Sequence, residues 1–218
     1  MQNLKSFLKR VFTSCLFALL TVTAFAQTPE EIISRMKAIW EEHQNEGIIM
    51  TLDTKMPLLG TITMREYILG NKFRTEGKTL GIFATVWDDG VTVYSYADKT
   101  NTLKIKNSSG KTAAGDGDEK LFIKVSEGYD LSIKKETADS WLILCKKSKD
   151  NPDDVLPDKM EVTVAKGTFF PISLKAKVVG IGITMRDISF GVNEDYVTFR
   201  MEDFPDVVVE DKREEGEK

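Results

Sequence analysis

The stretch Pro171-Ile172-Ser173-Leu174-Lys175-Ala176-Lys177-Val178, followed by Ile181-Gly182-Ile183-Thr184-Met185-Arg186-Asp187-Ile188, decides the fold class. In its first run Ile172, Leu174, Ala176 and Val178 alternate with Ser173, Lys175 and Lys177. A period of two marks a strand with one dry face and one wet face. Gly180 and Gly182 fall where the chain turns back, so the two runs read as a strand–turn–strand unit of an antiparallel sheet. The dry face of such a sheet must be covered, and the nature of the cover bears on function. A short final strand is expected around Tyr196-Val197-Thr198-Phe199, then an ending at Phe204-Pro205-Asp206-Val207-Val208-Val209-Glu210-Asp211.

The same alternation recurs toward the N-terminus. Ile48, Met50 and Leu52 alternate with Ile49, Thr51 and Asp53, and Ile62, Met64, Glu66 and Ile68 with Thr61, Thr63, Arg65 and Tyr67. Met56-Pro57-Leu58-Leu59-Gly60 between them is a turn of exposed apolar character. Gly70-Asn71 and Asp89-Gly90 are hairpin signals. Further strands are expected at Ile82 to Trp87, Val91 to Tyr96, Leu103 to Ile105, Tyr129 to Lys135, Trp141 to Lys147 and Met160 to Val164. Residues 107–119 read as a small polar loop, and Lys120 to Val125 as an apolar piece that fits helix or strand. Ahead of the strands, Thr28-Pro29-Glu30-Glu31 is a helix start: Thr28 caps, Pro29 suits the first helical position, and Glu31 completes a capping box. Ile32, Ile33, Met36, Ile39, Trp40 and His43 then share one helical face. The helix can be a packed structural element or a movable lid. About eleven short strands after one helix predict an antiparallel barrel or sandwich.

Composition narrows the function. The 218 residues are 41% hydrophobic, enough for one well-cored domain. The formal charge of −4 lacks the phosphate attraction on which nucleic-acid binding depends. Residues 1–26 read as a signal peptide: Lys5, Lys9 and Arg10, an apolar run from Val11 to Phe25, and Ala24-Phe25-Ala26 before Gln27. The run is shorter than the roughly 20 residues of a spanning helix. Cleavage before Gln27 would leave one domain, 27–218, with a formal charge of −7 and Cys145 as its one cysteine, so the monomer's core must hold without a disulfide. Cys145 alternates with Trp141 and Ile143 and reads as a buried small hydrophobe. The single histidine, His43, reads as structural. No nucleophile elbow, Walker loop, His-Glu-x-x-His or Cys-x-x-Cys is present. Asp150, Asp153, Asp154 and Asp158 lack the spacing of a calcium loop. No metal site, cofactor or enzymatic activity is expected.

Asp89-Gly90-Val91-Thr92-Val93-Tyr94-Ser95-Tyr96, the C-terminal Val197-Thr198-Phe199 and Val207 to Arg213, and the order of elements together resemble the LolA-like periplasmic carriers of outer-membrane lipoproteins. The resemblance implies an unclosed, strongly curved antiparallel sheet with helices over its concave face. It also implies carriage of acylated lipoproteins or lipids between membrane-associated donor and acceptor proteins, by a periplasmic monomer. The alternative is an envelope-stress or regulatory sensor of the same fold, binding lipidated or misfolded outer-membrane proteins. An arginine found in the family just before the turn at Gly70 is absent: the sequence there is Tyr67-Ile68-Leu69.

On this reading the period-two faces line an apolar cavity. Its expected walls are Met50, Leu52, Ile62, Met64, Phe83, Trp87, Leu174, Ala176, Ile183 and Met185. Ile32, Met36, Ile39 and Trp40 of the helix, with Phe122, form the expected lid. Methionine's flexible side chain suits a wall that adapts to acyl chains.

Overall fold

A computed structural model describes residues 27–109, 127–151, 156–178 and 180–213. The helix α1 (Pro29–His43) begins as its sequence dictates: Thr28 is the cap, and Glu31 N–H donates to its Oγ1 at 3.2 Å. One 3₁₀ turn (Gln44–Glu46) follows, and Gly47 then redirects the chain into the sheet at φ +79°. A Cβ at Gly47 would lie 2.6 Å from the Ile68 carbonyl oxygen and 2.8 Å from Val192 Cβ, so both the turn and the close approach require glycine.

The strands are β1 (Ile48–Met56), β2 (Gly60–Leu69), β3 (Lys72–Thr79), β4 (Ile82–Asp88), β5 (Thr92–Ala97), β6 (Thr102–Asn107), β7 (Tyr129–Glu136), β8 (Ser140–Lys147), β9 (Lys159–Ala165), β10 (Pro171–Val178), β11 (Ile181–Phe190) and β12 (Val208–Asp211). They form one curved, unclosed sheet in the order β12-β6-β5-β4-β3-β2-β1-β11-β10-β9-β8-β7. Every pairing is antiparallel except β12 with β6. The expected strand at Tyr196 to Phe199 is not one. Residues Glu194–Val197 form a single helical turn, α2, because Asn193 accepts the Asp195 N–H and caps it (3.0 Å). The chain then runs extended through Arg200 to a 3₁₀ turn at Met201–Asp203.

Each face of the sheet has its own cover. On the inner face α1 lies across β7 and β9 and buries Ile32, Ile33, Met36 and Trp40. Beneath it Ile143, Met160, Val162, Leu174 and Met185 are fully buried. On the outer face the segment after β11 crosses β2 to β5. Tyr196 stacks on Tyr67, Phe199 on Tyr94 at 4.1 Å, and Phe204 lies against Tyr96 and Trp87. The opening alternation is interrupted by a bulge between Pro171 and Ser173: Pro171 is buried and Ile172 is 42% exposed. The dry side of β10 is therefore Leu174 and Ala176, without Ile172.

Candidate functional site

The site follows from the strand register. Met50 and Leu52 of β1 lie on the inner face, and across from Leu52 stand Met64 of β2 and Met185 of β11. Met185 in turn pairs with Leu174, and Ile183 with Ala176. One apolar sheet surface thus runs through β2, β1, β11 and β10. Under α1 it is closed: Met50, Leu52, Leu174, Ala176 and Met185 are buried. Toward the turn between β1 and β2 it loosens. Ile62, Met64 and Ile183 are only half-buried, and so is Val86 of β4; Met64, Ile183 and Val86 pack against the same core, and Ile62 lies beyond them, facing Ile183 across Thr54 of β1.

Two expected wall residues lie elsewhere. Trp87 faces outward, with its ring edge-on to Phe199 (5.4 Å) and the Arg74 guanidinium over it at 5.3 Å. Phe83, four residues earlier on the same face, is 40% exposed. Both faces of β4 carry apolar residues, because both faces of the sheet are covered there. Alternation alone could not choose the side, and a one-residue choice inverts the strand. The inner side of β4 is Ile82, Ala84 and Val86.

Of the expected lid, Ile32, Met36 and Trp40 are buried against the sheet and Ile39 is half-buried. Phe122 lies outside the described residues, as do the expected signal peptide at 1–26 and the apolar piece at 120–125. Trp40 meets Phe190 edge-on at 5.6 Å, and His43 stacks on the same ring at 5.2 Å. His43 Nδ1 also bonds Glu46 at 2.8 Å, so the single histidine has a structural place. Arg35 lies over the Phe169 ring at 4.8 Å. Sequence reading missed Phe190 and Phe169 as partners of the helix, and Phe170, whose ring meets Phe190 edge-on at 5.4 Å. Phe169 and Phe170 sit beside the bend into β10, outside any alternation.

The arginines nearest the turn at Gly70 do not hold the helix. Arg65 donates to Thr51 Oγ1 at 2.9 Å, and Arg74 pairs with Glu76 at 2.5 Å, both on the outer face. The cover over the inner face buries four apolar side chains, with one ion pair beside them, Lys37 to Glu127 at 3.8 Å. The Asp89-Gly90 motif also proves structural. Asp89 Oδ1 accepts the N–H groups of Val91 and Thr92, and Gly90 turns at φ +88°.

Charge perturbation lies away from the inner wall. Arg186 and Thr63 both donate to Asp53 and hold its carboxyl below the ordinary range, on the outer face. Burial pushes the Cys145 thiol up to about 12, which suits a core residue and not a nucleophile. Among the described residues, no three His, Cys, Asp or Glu side chains converge as metal ligands. Two carboxylates are buried on the inner face: Glu66, paired across the strands with Thr75, and Asp88, paired with Phe73; the Asp88 Oδ1 accepts the Gly90 N–H.

The apolar face of the curved sheet thus continues past its helical cover toward the turn between β1 and β2. No known family pattern matches the chain, and no curated protein is similar to it. Solved structures are similar in fold. One is an uncharacterized conserved protein from Thermus thermophilus, at 15% identity and a TM-score of 0.44, covering 84% of this chain and 98% of that one. A LolA superfamily protein from Nitrosomonas europaea is 11% identical with a TM-score of 0.33, covering 80% and 99%. MucB of Pseudomonas aeruginosa, solved with MucA, is 12% identical with a TM-score of 0.43, covering 80% of this chain and 62% of its own. These likenesses cover most of this chain but are distant, and no residue's role is carried over from them.

Proposed function

We propose that the chain is an exported, non-enzymatic carrier whose inner sheet face takes up acyl chains of lipoproteins or related lipids in the periplasm. The observation that carries this reading is the apolar wall at Ile62, Met64 and Ile183. Met64 and Ile183 pack against the core beneath α1, Ile62 extends their face toward the β1–β2 turn, and all three are only half-buried. Each methylene moved from water onto such a wall gains about 0.8 kcal/mol, so a chain of many methylenes is held firmly by area alone. The helix would be the movable cover, displaced as the acyl chain enters, since apolar contacts are non-directional and can reform around a guest. On this reading the protein acts as a monomer from Gln27 onward. It receives cargo from one membrane-associated protein and passes it to another.

A fluorescent fatty-acyl probe titrated against wild type and Met64→Glu tests the proposal. Met64 is preferable to Met50, which is 2% exposed and cannot take a carboxylate without disturbing the core. Met64→Glu should stay folded by far-ultraviolet circular dichroism and bind the probe at least about tenfold more weakly, since an unpaired carboxylate on an apolar wall is costly to cover. Unchanged affinity in the folded variant would remove the inner face as the site.

A further inference from the structure

Three hairpin ends stand side by side at one end of the sheet. They close β3 to β4 (Leu80-Gly81), β1 to β2 (Pro57-Leu58-Leu59) and β10 to β11 (around Gly180), and their six strands are consecutive in the sheet. The pairings Met56 with Gly60 and Lys55 with Gly182 bring the second and third ends to a common level. Leu58 is fully exposed at 105%, Leu80 is 81% exposed and Leu59 56%. Single exposed leucines are ordinary, but these share one edge.

Their backbone makes the choice of residue costly. Leu58 has φ +73° and Leu80 φ +51°, in the left-handed region that favours Gly, Asn and Asp. Leu80 and Gly81 are the two positive-φ residues of a tight hairpin, where Asn-Gly is preferred. Leucine there sacrifices stability and solubility with no packing in return, so the requirement lies outside the fold.

Charge says what the partner is. Lys55 and Lys177 both pair with Gly182, so they flank it in one row on the outer shoulder of the rim, and Lys78 sits on the same face of β3. All three are exposed, and none pairs with an acidic group among the described residues. The stretches 54–62, 77–83 and 175–184 contain no Asp or Glu, in a chain where acidic residues outnumber basic ones 34 to 30. The patch is bounded at the same end of the sheet. The β5–β6 turn is polar, with Asp98 accepting the Phe83 N–H at 3.0 Å, and the loop after β8 carries Asp150 and Asp158.

We propose that this rim docks on an anionic lipid bilayer, with Leu58, Leu59 and Leu80 entering the interface and Lys55, Lys78 and Lys177 among the headgroups. Exposed apolar tips beside lysines match that boundary, which is apolar within and negative at its surface. Few groups take part, so the contact is reversible and salt-sensitive. It does not rest on the acyl-carrier reading, because the inner face takes no part in it.

Flotation of the exported protein with vesicles tests this. One set contains phosphatidylglycerol and phosphatidylethanolamine, the other phosphatidylcholine alone, each at low and high salt. Wild type should float with the anionic vesicles at low salt. Leu58→Asn with Leu80→Asn should lose at least about tenfold in bound fraction. Asn suits positive φ, so its melting temperature should hold or rise. Lys55→Gln with Lys78→Gln and Lys177→Gln should abolish the preference for anionic vesicles. Acyl-probe affinity should be unchanged in the asparagine variant, which separates this surface from the inner face. Wild type that ignores the vesicles, or an asparagine variant that floats as wild type does, would overturn the proposal. So would retention only by vesicles carrying reconstituted membrane proteins, which would make the partner a protein.

Discussion

Trp40→Ala asks whether α1 is a cover or a permanent part of the core. Trp40 is 2% exposed and meets the edge of Phe190, a ring that also touches His43 and Phe170. Truncating a buried Trp to Ala costs about 3–5 kcal/mol. Spent wholly on helix docking, that shifts the equilibrium between covered and uncovered states by roughly two to three and a half powers of ten. Where the helix can leave without the sheet, the loss is absorbed locally. Amide hydrogen exchange of residues 29–43 should then accelerate by that factor while β8, β9 and β10 keep their protection. Release of a bound acyl probe should speed up in step. Exchange that rises in the helix and in β8 to β10 together, with a fall in melting temperature, would mean that α1 and the sheet open as one unit. The cover would then not be movable, and the reasoning would fail.

Four further expectations concern the rest of the molecule. Asp53, held low by Arg186 and Thr63, contributes stability that is present above its unfolded value near 3.9 and lost as pH falls through its lower folded value. Asp53→Asn should therefore flatten the acid limb of a stability–pH curve below about pH 4, measured by urea titration at a series of pH values. Cys145, fully buried with its thiol pushed up to about 12, should resist iodoacetamide at pH 8 in the native protein and react once unfolded. Gly47→Ala should lower urea stability by about 1–3 kcal/mol, from strain at positive φ and contact with Ile68. Phe199→Ala removes the ring stacked on Tyr94 and should cost about 1.5–3 kcal/mol, expose the segment after Arg200 to proteases, and leave acyl-probe binding unchanged.

Much of the fold was legible because local chemistry and tertiary burial agree. The Thr28 cap, the apolar face of α1 and the alternation in β1, β2, β8 and β9 all lie where the sequence places them. The failures occur where two demands compete. At Ile172 a bulge breaks the alternation, and a bulge leaves no mark in a two-residue pattern. In β4 both faces are apolar, so Trp87 and Phe83 could not be assigned a side; only the aromatic strap at Phe199 and Phe204 shows that the outer face is covered. Tyr196 to Phe199 has the composition of a strand, yet the cap at Asn193 and stacking on Tyr67 turn it into one helical turn and an extended run. The resemblance drew on the Asp89-Gly90 motif with its two tyrosines, on the C-terminal segments and on the order of elements. Asp89-Gly90 and the tyrosines hold a turn and an outer-face cluster, and the inner wall is written instead in ordinary alternating Ile, Leu and Met.

Photo-crosslinking with a diazirine-bearing fatty acid, followed by peptide mapping, most directly tests whether the inner face holds acyl chains. Label that saturates and is competed by unlabelled fatty acid should fall on β1, β2 and β11, at Ile62, Met64 and Ile183, and on the inward side of α1. Label confined to the outer cluster of Trp87, Tyr94 and Phe199, or label that never saturates, would contradict it.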